Sequence, residues 1–146
     1  MEIAKLSEKY IDQIADIEAD CFSTEAWTHA SIKSALTNKL CCFEILIDKG
    51  IVIGYYSFYN SGNEAYVNNI AVRLACRGNG FGKVLLDRLI DQAKSIGCKA
   101  ITLEVRKSNV IAQKIYEKAD FKLEGIRPRF YSDNEDALIY WYKTED

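Results

Sequence analysis

The sequence holds a single proline, Pro128, a single histidine, His29, and a single methionine, Met1. So little proline excludes polyproline linkers and leaves helices and strands uninterrupted. One histidine excludes a His-rich metal site, and no metal site is expected. The five cysteines, Cys21, Cys41, Cys42, Cys76 and Cys98, contain no Cys-x-x-Cys pair. An odd, irregular set predicts free thiols in a reducing cytoplasm, most of them packed as small hydrophobes. Nineteen basic residues against 21 acidic ones give a net charge of −2, with no block of one sign. The basic footprint of a nucleic-acid binder is therefore missing. No apolar run reaches the length of a membrane span, and Met1-Glu2-Ile3-Ala4-Lys5 lacks a signal-peptide core. Repeats and low-complexity tracts are absent as well. One cytoplasmic domain over residues 1–146 is expected, with no membrane partner and no direct nucleic-acid partner.

What remains is a regular alternation of strand and helix signals. A strand is expected over Glu2 to Leu6, then Ser7 as an N-cap and a helix from Tyr10 to about Cys21. Thr28 caps a second helix, His29 to Thr37. Strands follow over Leu40 to Ile47, Ile51 to Tyr59 and Tyr66 to Val72, the first two joined by a hairpin at Asp48-Lys49-Gly50. Phe81 to Ile96 reads as a long amphipathic helix with Gly97 as its C-terminal stop. Ala100 to Val105 is a fifth strand, parallel to the fourth because a helix separates them. Ser108 caps a helix from Asn109 to Ala119, and Phe121 to Ile126 and Ala137 to Tyr142 complete the set. The order β-α-α-β-β-β-α-β-α-β-β is α+β, one mixed sheet flanked by helices.

Strand, turn and helix meet at Arg77-Gly78-Asn79-Gly80-Phe81-Gly82-Lys83. Glycines free the backbone there, and the helix start offers unpaired N–H groups, a combination suited to phosphate. Gly-x-Gly-x-Gly is not the Gly-x-Gly-x-x-Gly of a dinucleotide site. Gly82-Lys83-Val84 lacks the Ser/Thr of a nucleoside-triphosphate loop. The stretch instead fits Arg/Gln-x-x-Gly-x-Gly/Ala, through Arg77, Gly80 and Gly82.

Other candidates lie downstream. Glu104 interrupts an apolar strand, where a carboxylate needs a partner; pairing with Arg106 or solvation at the strand mouth would supply one. Asn109 and Tyr116 are seven apart and share a helix face, although a Tyr there also suits a core position with its hydroxyl at the rim. His29 reads as a solvent-facing residue without an acid partner. Cys76 adjoins Arg77 and a helix start, which suits a thiolate nucleophile, but sequence shows no base beside it.

The Arg77 to Gly82 pattern resembles the pyrophosphate loop of the GNAT superfamily of N-acetyltransferases. Asn69-Ile70-Ala71-Val72, Leu103-Glu104-Val105-Arg106, Ser108-Asn109, Ile115-Tyr116-Glu117, Phe130-Tyr131 and Glu135-Asp136-Ala137 follow the family order. The series is similar to the RimI-type branch, which acetylates the N-terminal alanine of a small-subunit ribosomal protein. The resemblance runs through nearly the whole chain. It implies a GNAT-like fold and acetyl-CoA as cosubstrate. It implies that Ile70, Ala71 and Val72 pair with the pantetheine arm. Arg77, Gly78, Asn79, Gly80, Phe81, Gly82 and Lys83 would hold the pyrophosphate, and Asn109 would contact the CoA arm. Glu104 would be the general base and Tyr116 the general acid, with Trp27 and Tyr131 on the acceptor side. The chain departs from the family at Ala26, at Leu74-Ala75, and at Asp120, which stands where a helix-ending glycine is common.

The implied chemistry is consistent. A peptide α-amine has a pKa near 8, so about a tenth is neutral at pH 7, and a modest base suffices. Glu104 would serve if burial raised its pKa. Backbone N–H groups near Asn69 to Ala71 would face the developing oxyanion. Tyr116, a phenol of pKa about 10, gives its proton uphill to a thiolate, which favours hydrogen bonding over full transfer. The expected partner is a protein N-terminus, that of a basic ribosomal protein drawn in by Asp133, Glu135 and Asp136. The enzyme itself is expected to be a monomer or weak homodimer. Two alternatives stay open: the same transfer to a lysine or small-molecule amine, and a non-catalytic acyl-CoA- or partner-binding module.

Overall fold

The computed structural model describes residues 1–144. Seven strands, β1 (Glu2–Lys5), β2 (Cys41–Asp48), β3 (Ile51–Asn60), β4 (Glu64–Val72), β5 (Ala100–Arg106), β6 (Lys122–Arg127) and β7 (Ala137–Lys143), form one sheet. Their spatial order is β1-β2-β3-β4-β5-β7-β6. Only β4 and β5 run parallel, as the intervening helix requires. Helices α1 (Ile11–Phe22) and α2 (His29–Thr37) pack on one face. Helices α3 (Phe81–Ser95) and α4 (Val110–Lys118) pack on the other. The element order is the one expected, and the fold is α+β, one mixed sheet flanked by helices.

Alternation on the strands supplies both cores. Ile101, Leu103 and Val105 face α3 and α4, where Leu85, Leu86 and Leu89 are fully buried or nearly so. Ile45, Tyr55 and Ala71 face α1 and α2. Each fully buried aliphatic side chain contributes about 1.5–3 kcal/mol. Gly54 is required by the close approach of β4 and α3: a Cβ would meet the Ala71 carbonyl oxygen at 2.6 Å and Leu85 Cδ1 at 2.9 Å.

Several local expectations need correction. Ser7 makes no capping bond; a short 3-10 turn, Glu8–Tyr10, precedes α1. Asn109, not Ser108, caps α4, its Oδ1 accepting the Ala112 N–H at 3.2 Å. The Ser108 N–H is occupied by Glu135 Oε2 at 2.8 Å. Strand β4 begins at Glu64, two residues earlier than expected. His29 does have an acid partner, Asp12 at 3.1 Å, on an exposed surface. The Thr28 cap holds, accepting from Ser31 N at 3.1 Å.

The feature that positions the site is a parting of strands. The parallel pairing of β4 and β5 consists of Glu64, Ala65 and Tyr66 against Ala100, Ile101 and Thr102. Beyond that rung β4 stays with β3 and β5 with β7. A bulge inserts Asn68 between the Val67–Phe58 and Asn69–Ser57 rungs, where it bends β4.

Candidate active site

The Gly-rich turn lies between β4 and α3. Gly78 and Gly80 have φ of +81° and +82°, a conformation side chains strain to adopt. Gly80 is the N-cap of α3 and has no side chain to satisfy the helix start. The N–H groups of Gly78, Asn79 and Gly80 find no acceptor among the described residues. This is a backbone cradle aimed along a helix dipole, and it fits a pyrophosphate.

The side chains around it have jobs within the protein. Arg77 folds back, Nε donating to the Val72 carbonyl at 3.1 Å and Nη2 to Cys21 Sγ at 3.1 Å. Asn79 Nδ2 donates to the Cys76 carbonyl at 3.0 Å, closing the turn. Phe81 packs on the α3-side core. Lys83 pairs with Asp87 at 2.8 Å on the exposed helix surface. Ile70 and Val72 pack toward α3, while Ala71 is buried against the α1 side. Asn109 spends its Oδ1 on the cap, so the CoA-arm contact expected of that residue falls at most to its remaining amide group.

Glu104 sits on β5 two residues past the last paired rung. Its side chain is 8% exposed. It does not pair with Arg106. Oε1 accepts the Tyr66 hydroxyl, and Oε2 faces Arg127 Nε at 3.3 Å. Burial, then the bond to Glu104, pushes the Tyr66 phenol well above its ordinary pKa. Neither Tyr66 nor Arg127 was singled out in the sequence. In the sequence Tyr66 is only the aromatic residue that opens the expected fourth strand, and Arg127 only the first residue of the loop after Ile126.

Arg106 turns to a different set of acids. Its guanidinium meets Glu25 at 3.2 Å, Asp133 at 3.0 Å and Glu135 at 2.8 Å. It also lies 4.1 Å above the Tyr131 ring. Glu25 accepts both the N–H and the hydroxyl of Ser132, at 2.9 and 2.7 Å. Those bonds, with Arg106 adding less, hold its carboxyl down at about 2. The α1–α2 connection and the β6–β7 loop are thereby fastened together. Asp136 Oδ1 accepts the Arg129 N–H at 3.0 Å. The steering carboxylates expected at Asp133, Glu135 and Asp136 are thus largely engaged inside the protein.

Tyr131 is half-buried, its phenol pushed up to about 12 by burial, with Arg106 opposing and Glu104 adding. Tyr116 is buried among Phe121 and Tyr140, ring centroids 5.9 and 6.1 Å away. Burial, with Tyr131 nearby, raises its phenol, so it surrenders a proton less readily than a free tyrosine. Its hydroxyl has no hydrogen-bond partner among the described residues. The charge of Glu104 bears on the Tyr131 phenol, and that of Tyr131 on Tyr116. Trp27, 6.4 Å from Phe43, lines a cleft of about 310 Å³ with Asn38, Cys41, Tyr59, Tyr66 and Asn68. Tyr66 joins this cleft to Glu104. Cys76 ends a 3-10 turn against the α3-side core, with no titratable side chain bonded to it. All five cysteines are free thiols. No cluster of His, Cys, Asp and Glu suited to a metal ion occurs among the described residues, and no helix there is long and apolar enough to cross a membrane.

Residues 11–121 match the model of the acetyltransferase (GNAT) family. A Bacillus subtilis (strain 168) protein, whose name provisionally makes it a ribosomal protein bS18-alanine N-acetyltransferase, is 35% identical over 133 residues, 90% of this chain and 87% of its own. The ribosomal protein bS18-alanine N-acetyltransferase of Haemophilus influenzae is 41% identical over 86 residues, 59% of this chain and 58% of its own. The crystal structure of the ribosomal-protein-S18-alanine N-acetyltransferase from Escherichia coli superposes with a TM-score of 0.90 at 27% identity, covering 99% of this chain and 94% of that one.

Proposed function

Since the chain belongs to the acetyltransferase (GNAT) family, as an acetyl-CoA-dependent N-acetyltransferase, we propose that it acetylates the α-amine of a protein N-terminus beginning with alanine, that of a small-subunit ribosomal protein. One observation carries the reading: Glu104 lies at the parting of β4 and β5, bonded to Tyr66, with Trp27 on the adjoining cleft. Aromatic walls around a carboxylate suit a small first side chain and a nearby α-amine. The names of the Bacillus subtilis and Haemophilus influenzae relatives point the same way. The proposed unit is one domain over residues 1–146, acting in the cytoplasm.

Acetyl-CoA supplies the activated acetyl group as a thioester and carries off the thiol. The N–H groups of Gly78, Asn79 and Gly80 and the start of α3 would hold its pyrophosphate. The backbone of Ile70 to Val72, free of β5, would take its arm. Arg77 braces this arrangement by tying the turn to Val72 and Cys21. Glu104 accepts the proton that the incoming ammonium must lose, directly or through one water. Tyr66 and Arg127 orient the carboxylate for that task. Tyr116, with its phenol raised, acts as a hydrogen-bond donor toward the departing sulfur.

The deciding experiment is acetyl-CoA turnover against a panel: an Ala-starting basic peptide, the same peptide with a blocked α-amine and free lysines, and a polyamine. Mass spectrometry should place the acetyl group on the α-amine alone. Acetyl mainly on lysine, or a better rate with the polyamine, would move the reading to a broader amine acetyltransferase. No turnover at all, with acetyl-CoA still bound, would move it to a non-catalytic acyl-CoA-binding module.

A further inference from the structure

Glu18 is 1% exposed on α1, on the same stripe as Ile11 and Ile14. A hydrophobic residue is what that stripe calls for. The carboxylate has no ion pair among the described residues, and burial raises its pKa. It is satisfied by three donors from three elements. Oε1 accepts the Trp27 backbone N–H at 2.9 Å. Oε2 accepts Asn69 Nδ2 at 3.0 Å and the Tyr55 hydroxyl. Asn69 is held in turn by Ser57, whose hydroxyl donates to Oδ1 at 2.5 Å. A buried carboxylate is costly to take out of water, and its donors offset that cost without making it strong evidence of a stabilising role.

The partners say what the carboxylate accomplishes. Trp27 belongs to the connection between α1 and α2, where little regular structure fixes the backbone, and it lines the cleft that reaches Tyr66. Asn69 follows the bulge at Asn68, where β4 turns away from β5. One side chain therefore grips the acceptor wall with one oxygen and the parted strand with the other. We infer that Glu18 is a positioning residue for acetyl transfer, fixing the Trp27 wall relative to β4 so that the acceptor amine meets the acetyl group in register. It touches neither substrate. The inference rests on the active-site reading above, but not on which amine is the acceptor.

Two variants separate positioning from stability. Glu18→Leu removes the buried charge but leaves the Tyr55 hydroxyl, Asn69 Nδ2 and Trp27 N–H without their acceptor, so a lower melting temperature is expected of it whatever its role in transfer. Glu18→Gln keeps the shape and changes the bonding, and serves if the leucine variant does not fold. In both, KM for the acceptor should rise at least tenfold, while calorimetric affinity for acetyl-CoA stays within twofold of the parent. Tyr55→Phe, which leaves Trp27 and Asn69 held, should move KM by less than threefold. The assay uses whichever amine of the panel the parent acetylates best, so a lysine or polyamine outcome refutes the α-amine reading and still tests this one. A second readout needs no acceptor. On a Trp141→Phe background Trp27 is the sole indole, and Glu18→Leu should at least double its acrylamide quenching. An unchanged acceptor KM in a folded variant, an equal loss of acetyl-CoA affinity, or unchanged quenching would each overturn the assignment.

Discussion

Tyr66 stands on the last rung that β4 and β5 share and Glu104 two residues past it, the phenol donating to Oε1 of the carboxylate. The bond crosses the gap between strands that no longer pair. It fixes a charge where backbone hydrogen bonding has ended, and it leaves Oε2 facing Arg127. Glu104→Gln should lower kcat/KM by about 100-fold, in the range usual for a general base, with acetyl-CoA affinity nearly intact. The loss should shrink as pH rises toward 9, where more of the amine is neutral. Tyr66→Phe should cost roughly tenfold, the worth of one hydrogen bond to a charged group. Steady-state rates from pH 6 to 9 decide; a pH-independent Glu104→Gln loss would make Glu104 a binding residue.

Tyr116 yields a complementary expectation. Burial raises its phenol above the ordinary value. A raised phenol stays protonated throughout pH 6–10, so its titration should not appear in the rate profile. Tyr116→Phe should reduce kcat by roughly tenfold, one charge-assisted hydrogen bond, and leave the shape of the alkaline limb unchanged. An alkaline limb that disappears in the variant would restore a full proton-transfer role.

The glycines of the turn can be told apart. At Gly82 an added Cβ meets nothing closer than Ile115 Cδ1 at 3.9 Å, so the free protein has room there. At Gly80 the positive φ strains any side chain. Gly82→Val should therefore fold normally yet bind acetyl-CoA at least tenfold more weakly, about 1.4 kcal/mol. Calorimetry showing full affinity in the folded variant would remove that position from the cradle.

Asp120 occupies the left-handed region, φ 72°, just past α4. Phe121 N–H closes the helix end on the Tyr116 carbonyl at 3.0 Å, so the conformation is enforced. Asp120→Gly should relieve about 1 kcal/mol of strain, partly offset by a freer unfolded chain. The expected gain in melting temperature is a few degrees, measured by thermal unfolding with no change in activity.

Glu25 makes stability depend on acid. Its folded pKa, about 2, lies below the ordinary 4.5 because the Ser132 N–H and hydroxyl bind the carboxylate. A depressed carboxyl contributes stability that is fully present above about 4.5 and fades as pH falls toward 2. Glu25→Gln should thus be less stable than the parent at pH 7, with the gap closing between pH 4.5 and 2. Urea titrations at pH 7, 4 and 2.5 test this.

The sequence by itself determined the element order, the parallel β4–β5 pair and the Gly-rich turn. Those follow from local periodicity, breakers and chain direction, which neighbouring residues carry between them. It also marked Glu104, because a carboxylate among Ile101, Leu103 and Val105 is conspicuous on any sheet. The tertiary structure alone decided the partners. Arg127 and Tyr66 come to Glu104 from strands 23 and 38 positions away in sequence, while Arg106, two residues off, turns to Glu25, Asp133 and Glu135. The cap of α4 moved one residue, since Glu135 binds the Ser108 hydroxyl as well as its N–H, and Asn109 caps instead. Glu18 stayed hidden because a helical stripe reads as apolar until three donors, at Trp27, Tyr55 and Asn69, are folded around one of its members. Long, charged side chains reach several partners at similar cost, so which they meet depends on how strands and loops are brought together in space.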